Sequence, residues 1–200
     1  MAFPSFFSEI PTLILRDPLA EFLGAAEGGL IEYHYADAVK LAGHSCPTVA
    51  GAYLLTCRVL GVLYPDEMPE RGGLRVDFRA SQNDGVTGVM ASVIGLLTGA
   101  AGMGGFKGLG GVFSRVDLLR FEVELPGEIC FTRRDTGESR TASLQLGHIA
   151  PDPRMAPLLQ RLLAGDRETV LAEVFAVLWQ DRVRRILIDH FEDPSVVIFG

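Results

Sequence analysis

The sequence predicts an α+β domain, and three observations carry that prediction. Residues 73–81, GLRVDFRAS, alternate apolar and polar side chains, as a half-buried strand does. The stretch 86–98 is uncharged on every face, which is typical of a buried helix. Three further strand patterns, separated by turn residues, follow at 112–124, 128–134 and 139–147. We therefore expect a helix-strand-helix-three-strand core in two layers, a mixed and mostly antiparallel sheet, and C-terminal helices.

The N-terminal region begins irregularly. Prolines and glycines interrupt residues 1–33, which predict only short helical pieces around 5–9 and 18–25. A short helix is expected over 35–41, and Gly43 ends it.

Pro47 suits the first position of the next helix, because the N–H that proline lacks has no partner in the first turn of a helix. This helix is expected to continue through TVAGAYLLTCRVLGVLY as far as Pro65. Asn83 or Asp84 can then cap the helix predicted at 86–98.

The C-terminal region predicts two helices. The first covers 154–164 and ends at Gly165, and Asp166 can cap a long amphipathic helix over 167–191. The chain then divides into an N-terminal segment, a core domain and a helical extension, at 1–33, 34–150 and 151–200.

Composition restricts the class of protein. The 200 residues suit one compact domain, and 48% hydrophobic with 22% charged residues is typical of a globular protein. The net charge is −7, and no basic cluster exceeds two adjacent arginines, so nucleic acid is not expected as a partner.

Three widely spaced cysteines favour a reducing compartment over a disulfide framework. The N-terminus lacks the basic start of a signal peptide, so we expect a cytoplasmic protein. The uncharged stretch 85–106 is long enough to cross a bilayer, but its seven glycines favour a buried helix that runs into a loop.

The loop GHSCP carries the clearest candidate chemistry. If Pro47 opens a helix, Cys46 is its N-cap, where backbone N–H groups favour a thiolate, and a protonated His44 would favour it further. Thiolate and imidazole are also a natural ligand pair for zinc. Two residues make only half of a tetrahedral site, so the pair predicts a metal site, a reactive thiol or ordinary packing.

Further ligands would have to come from elsewhere in the chain. His148 follows the last predicted core strand, and His34 precedes the first helix, so both are candidate metal ligands with His44 and Cys46. His190 is expected to be a solvated charge at a helix end. Cysteines 57 and 130 are expected to pack in the interior.

A glycine-rich loop, GAAGMGGFKGLGG, follows the second core helix. It matches neither the P-loop nor the dinucleotide fingerprint, because Gly108 follows Lys107 where a P-loop needs serine or threonine, and Lys107 stands where the fingerprint needs glycine. Lys107 is the only charge of the loop and is a candidate anion contact. Asp84 is a second candidate for ligand binding, provided that it lies near His44; otherwise it is a helix cap.

Two motifs in order resemble a known family. DAVKLAGHSCPTVAGAYLL resembles the Phe-His-Gly-His-x-Cys-Pro-Gly signature of FmdE-like proteins, a family named after a component of formylmethanofuran dehydrogenase. QNDGVTGVMASVIGLLTGAAGMGGFKG resembles the Asn-Asp-Ser-Cys motif, apolar helix and Phe-Gly-Lys-Gly turn of the same family. The resemblance covers about 36–122. By this resemblance His44, Cys46 and the Asn83–Asp84 pair occupy family positions, and Lys107 lies near the lysine of the turn.

The sequence departs from the family pattern at three positions. Ala42 replaces the first histidine of the signature, and Val86 and Ala100 replace two cysteines. The resemblance still implies a metal-binding α+β protein, usually with zinc and commonly dimeric, accessory to redox or one-carbon metabolism. Two rivals stay open: a cysteine enzyme with Cys46 as nucleophile and His44 as base, and a protein without a metal that binds a small molecule or acts as a scaffold through its glycine-rich loop.

Overall fold

The α+β class is confirmed by a computed structural model, which describes residues 3–200. Within these residues the chain forms six α-helices and two β-sheets. The helices are α1 Pro18–Phe22, α2 Tyr35–Ala42, α3 Pro47–Leu63, α4 Thr87–Thr98, α5 Met155–Leu163 and α6 Thr169–Arg184. The strands are β1 Leu13–Arg16, β2 Leu30–Tyr33, β3 Leu74–Phe78, β4 Leu119–Arg120, β5 Ile129–Arg133, β6 Ser139–Leu144 and β7 Val197–Phe199.

The main sheet has five strands in the order β4-β3-β5-β6-β7. Strands β3 and β4 pair in parallel, and the other three pairs are antiparallel, so the sheet is mixed and mostly antiparallel as predicted. Strands β1 and β2 form a separate antiparallel pair.

Helix α3 lies in the core, because 11 of its 17 residues are buried. It packs against α4 and against β6. A Cβ atom at Gly51 would overlap the side chain of Leu144, so glycine is what allows α3 to approach the sheet closely.

The predicted helices and strands of the middle region are confirmed, with one exception. The strand predicted over 112–124 is only the two residues of β4. Phe113, Asp117 and Glu122 have φ values near +60°, which break an extended backbone. The predicted cap of α4 is also wrong: Val86 is its N-cap, and the Asp84 carbonyl instead accepts a backbone hydrogen bond from Thr87 at 3.0 Å.

The terminal segments differ from the prediction in their strands. The sequence patterns predict neither the β1–β2 pair nor β7. Helix α6 ends at Arg184 and continues as a single π-helical turn, Arg185–Asp189, rather than as an α-helix to residue 191. Asp166 accepts a hydrogen bond from the backbone N–H of Glu168 at 3.0 Å, but the N-cap of α6 is Glu168.

The three predicted segments of the chain share one hydrophobic core. Phe6 and Leu15 from the N-terminal segment, and Ile186 and Val197 from the C-terminal one, belong to the same buried cluster as α3. No helix of the described chain is long and apolar enough to cross a membrane, and α4 has only 12 residues.

Candidate functional site

The loop between α2 and α3 has the predicted local geometry. Gly43 ends α2 in the left-handed conformation, with φ of 75°. Cys46 is the N-cap of α3, and its Sγ accepts a hydrogen bond from the backbone N–H of Val49 at 3.5 Å. The side chain is 8% exposed. The sulfur therefore lies at the positive end of a 17-residue helix, as the sequence predicts.

His44 does not complete a pair with Cys46. Its side chain is exposed, and its Nδ1 forms a hydrogen bond with the carbonyl of Ala42 at 2.9 Å. Across residues 3–200 no hydrogen bond joins the His44 ring to the Cys46 sulfur. A base for a Cys46 nucleophile would have to come from another residue.

Ser45, between these two residues, is held by groups that sequence reasoning missed. Its Oγ donates to Gln180 at 2.9 Å and lies 3.0 Å from the hydroxyl of Tyr35. The indole N–H of Trp179 donates to the Ser45 carbonyl at 2.8 Å. Helix α6 thus fixes the loop that carries Cys46. A contact across more than 130 residues leaves no local pattern by which the sequence could show it.

Replacing Trp179 by phenylalanine is expected to loosen this loop. The substitution removes the indole donor, which costs about 1 kcal/mol of unfolding free energy, and should increase alkylation of Cys46 severalfold. Peptide mass spectrometry after timed iodoacetamide treatment measures labelling at each cysteine. Phe175→Leu is the control, because Phe175 packs on Trp179 but is not bonded to Ser45. Unchanged Cys46 labelling in Trp179→Phe would contradict the role assigned to α6.

A second group of potential metal ligands lies just after β6 and just after the π turn that follows α6. His148, His190 and Asp193 each offer a ligand atom, and these atoms all lie within 4.8 Å of one another. His190 Nδ1 is 2.8 Å from Asp193 Oδ2, and His148 Nε2 is 3.6 Å from the same oxygen. Among the described residues this is the one group of three or more such side chains. We call it the His-His-Asp cluster.

The backbone holds this cluster in place. The N–H of His190 donates to the Arg185 carbonyl at 2.9 Å and closes the π turn. Arg58, from α3, donates to the Phe191 carbonyl at 2.9 Å and so ties the segment to the core. His148 reaches the cluster from the loop that follows β6.

Ser195 fixes the carboxylate of Asp193. Its Oγ donates to Asp193 Oδ1 at 2.6 Å, and its backbone N–H donates to the same oxygen at 2.9 Å. Hydrogen bonds from Ser195 and His190 hold the pKa of Asp193 well below its ordinary value. The carboxylate is therefore ionised and oriented at neutral pH, as a metal ligand must be.

The cluster is not a serine-histidine-aspartate triad. In a triad the serine and the carboxylate bind opposite nitrogens of one imidazole. Here Ser195 Oγ lies 3.2 Å from His148 Nε2, and Asp193 lies 3.6 Å from that same nitrogen. Ser195 therefore supports the carboxylate and is not placed as a nucleophile.

The donor set fits zinc. Two imidazoles and one carboxylate form a common catalytic zinc shell. Bonds of about 2.0–2.1 Å at tetrahedral angles put neighbouring ligand atoms about 3.3 Å apart. The Asp193 oxygen lies 2.8 Å from the His190 nitrogen and 3.6 Å from the His148 nitrogen, on either side of that value. The third separation, between the two imidazole nitrogens, is within 4.8 Å, so the side chains would have to rotate to place the three atoms around one ion.

The predicted ligand set is not assembled within one chain. No three of His34, His44, Cys46 and His148 form a metal-sized group in the part of the chain that the structure describes. His34 is the exposed N-cap of α2, with its Nε2 3.7 Å from Glu32. Of the four predicted ligands, only His148 lies in a cluster.

His190 lies at a helix end and is partly exposed, as the sequence predicts. The prediction did not include its place in a cluster: it contacts Asp193, and its ring centroid lies 5.7 Å from that of His148. The one sequence signal for it is the spacing of His190 and Asp193, three residues apart at the end of a helix.

The remaining candidates make few contacts. Lys107 and Asp84 are exposed, and neither side chain forms a hydrogen bond or ion pair with any described residue. Burial raises the pKa of Cys57 to about 12, which agrees with the packing role expected of it. Cys130 is half-buried, with its sulfur 3.8 Å from the hydroxyl of Thr132.

Comparison of the chain with protein-family models and with curated proteins yields no match. The resemblance carried by residues 36–122 therefore remains a prediction.

Proposed function

We propose that this is a metal-binding protein, as the resemblance to the FmdE-like family implies, and that its ligands within one chain are His148, His190 and Asp193. The observation that carries the proposal is the convergence of two imidazoles and an ionised carboxylate within 4.8 Å. Zinc is the metal of first choice because this shell suits it. The proposal keeps the metal that the sequence predicts and replaces the ligand set.

The arrangement also defines the tasks of the chain's own residues. Three protein ligands leave a coordination position open, where bound zinc would supply Lewis-acid chemistry to water or a substrate. Ser195 orients the Asp193 carboxylate, and Arg58 holds the segment that carries His190 and Asp193. All three ligand side chains are partly exposed, so a small molecule can reach them.

The cysteine-enzyme alternative has weaker support. The backbone N–H of Val49 donates a hydrogen bond to the Cys46 sulfur, but the His44 ring is bonded to the Ala42 carbonyl instead of to that sulfur. A mechanism with Cys46 as nucleophile and His44 as base would require the loop to rearrange. We therefore do not adopt it.

Metal content of protein purified without added metal tests the proposal. We expect about one zinc per chain, and His190→Ala should lower zinc affinity at least about a hundredfold, since even loss of a residue that merely orients a ligand costs about 10–100-fold. Ser195→Ala should fall within that smaller range. Elemental analysis and competition with a chelator give the stoichiometry and the affinity.

His34→Ala is the matched control, because His34 is also an exposed histidine beside a carboxylate but belongs to no cluster. It should retain full zinc affinity. If His190→Ala keeps the metal and the double variant His44→Ala/Cys46→Ala loses it, the ligands are at the signature loop and the proposal fails.

Zinc affinity is expected to decrease with acidification. Protons compete with the metal for imidazole nitrogens. Hydrogen bonds lower the pKa of Asp193, so its carboxylate stays ionised and does not cause the loss. Chelator competition between about pH 8 and 5 measures it, and an affinity independent of pH would contradict ligation by histidine.

We also propose that the protein is a cytoplasmic homodimer. Helix α6 supports an interface, because Val170, Val174 and Val177 form an exposed apolar stripe at helical spacing. Light scattering coupled to gel filtration tests this, with Val177→Lys as the variant expected to dissociate the dimer. A monomeric parent protein would end the proposal.

A further inference from the structure

Four arginines line one small cavity, about 280 Å³ in volume, on the side of the molecule where β1 ends. They are Arg16, Arg71, Arg115 and Arg134. We call this cavity the arginine pocket. In a chain of net charge −7, such a concentration of guanidinium groups is unexpected unless negative groups balance it.

The carboxylates around the arginine pocket neutralise its positive charge only in part. Asp17 pairs with Arg71 at 2.8 Å and with Arg115 at 2.7 Å, and Glu21 pairs with Arg16 at 2.6 Å. Arg134 forms no ion pair within residues 3–200, and its Nη1 donates to the Gly72 carbonyl at 2.9 Å.

Glu70 also lines the pocket. Four guanidinium groups against three carboxylates, those of Asp17, Glu21 and Glu70, leave one positive charge unbalanced. A local excess of positive charge favours an anion over a cation in the cavity.

Arg115 is the most deeply buried of the four. It is 7% exposed, and its Nη1 is a buried donor without a hydrogen-bond acceptor in the described structure. Such donors are rare in folded proteins because their lost hydration is uncompensated. A Cβ atom at Gly72 would overlap this nitrogen, and one at Gly99 would crowd it at 2.7 Å. Because Gly72 and Gly99 have no side chain, they leave room for the Arg115 guanidinium group, which retains one N–H donor group without an acceptor.

The backbone next to Arg115 is strained. Phe113, two residues earlier, has φ of 62°, which is costly for a bulky side chain. Its ring packs on Phe22 at 5.3 Å and lines the arginine pocket. The backbone N–H of Arg115 donates to the Phe106 carbonyl at 2.8 Å, so the glycine-rich loop holds the segment that contains Phe113 and Arg115. Strain of this kind persists where a site must be held in place.

We propose that the arginine pocket binds the oxyanion group of a small molecule, a phosphate or a carboxylate, with Arg134 as its principal donor and the buried Arg115 as a second positive charge beside it. Guanidinium groups bind both oxyanions through paired N–H donors. The volume lies just below the roughly 300–1,000 Å³ of pockets that enclose drug-sized ligands, so a small anionic group fits better than a large ligand. The sequence predicts an anion contact at Lys107 of the glycine-rich loop, whereas this proposal places the anion at the arginines beside that loop.

Titration with inorganic phosphate, and separately with acetate, tests the pocket at constant ionic strength. Melting temperature and the NMR signals of arginine Nε–H groups report binding. We expect one of the anions to give a saturable rise in melting temperature. A stronger response to phosphate assigns a phosphate group, and a stronger response to acetate assigns a carboxylate. A saturable response to neither anion overturns the proposal.

Arg134→Gln should weaken the affinity about tenfold, the equivalent of one charge-assisted hydrogen bond. This variant leaves the buried pair of Asp17 and Arg115 intact. Arg154→Gln is the control, because Arg154 is an exposed arginine paired with Asp152 away from the pocket. Equal losses in the two variants would show non-specific screening and overturn the proposal. Retention of phosphate binding in His190→Ala separates this pocket from the His-His-Asp cluster.

Discussion

Replacement of Asp17 by asparagine is expected to lower the free energy of unfolding by about 3–5 kcal/mol, the usual cost of breaking a buried ion pair from one side. Asp17 is 3% exposed and accepts hydrogen bonds from Arg71 and Arg115. It also caps α1, with its Oδ1 accepting from Leu19 N–H at 3.0 Å. The variant would leave two guanidinium groups without their shared carboxylate.

Urea unfolding followed by circular dichroism measures this effect. Asp152→Asn is the control, since Asp152 pairs with Arg154 in an exposed position and its replacement should have a much smaller effect. If the two variants lose similar amounts of stability, the buried network around Asp17 has no special role.

Asp17 is also expected to make the free energy of unfolding depend on pH. Burial alone would raise the pKa of Asp17, but the hydrogen bond from Arg71 and the charge of Arg115 outweigh it and lower the pKa below 3.8. A carboxyl whose folded-state pKa is depressed stabilises the protein above its unfolded pKa and ceases to do so as the pH falls through the folded value. The difference in unfolding free energy between the parent and Asp17→Asn should therefore narrow as the pH falls below 3.8.

Replacement of Phe131 by alanine is the second large effect, with an expected loss of about 3–5 kcal/mol. Phe131 is fully buried in β5, where it pairs with Val76 on one side and Arg140 on the other. Because β5 lies in the middle of the five-stranded sheet, neighbouring elements surround the space left by the ring and the core can relax only in part.

Denaturant unfolding again measures the change. Phe22→Ala is the matched control, because that ring is 66% exposed, and its removal should cost less than about 1 kcal/mol. Comparable losses at the two positions would contradict the placement of β5 in the core.

The parts of the fold that local rules govern could be predicted from the sequence. Gly43 ends α2, and Pro47 begins α3 with Cys46 as its N-cap, because each depends only on adjacent residues. The long apolar patterns of α3 and α4 were equally informative.

Short strands with apolar residues on their exposed side leave no alternating pattern. Ile14 is one of the two outward residues of β1, and Ile198 is the outward residue of β7, so neither strand alternates regularly between apolar and polar residues. The sequence overestimates β4, because the positive φ values of Phe113 and Asp117 cannot be inferred from residue types that normally avoid them.

The candidate site was predictable only in part, for a different reason. His148 follows β6, the last of the predicted strands, but His190 and Asp193 follow α5 and α6 in the chain, and no spacing rule connects them to His148. The contact between Ser45 and Trp179 is equally distant in sequence. Clusters of this kind depend on the path of the whole chain.

The two outer strands of the main sheet are β4 and β7, with two and three residues respectively. A neighbouring molecule would find few free backbone groups at either edge, so continuous intermolecular sheets are disfavoured. Association through the main sheet would accordingly depend on packed side chains more than on strand pairing at its edges.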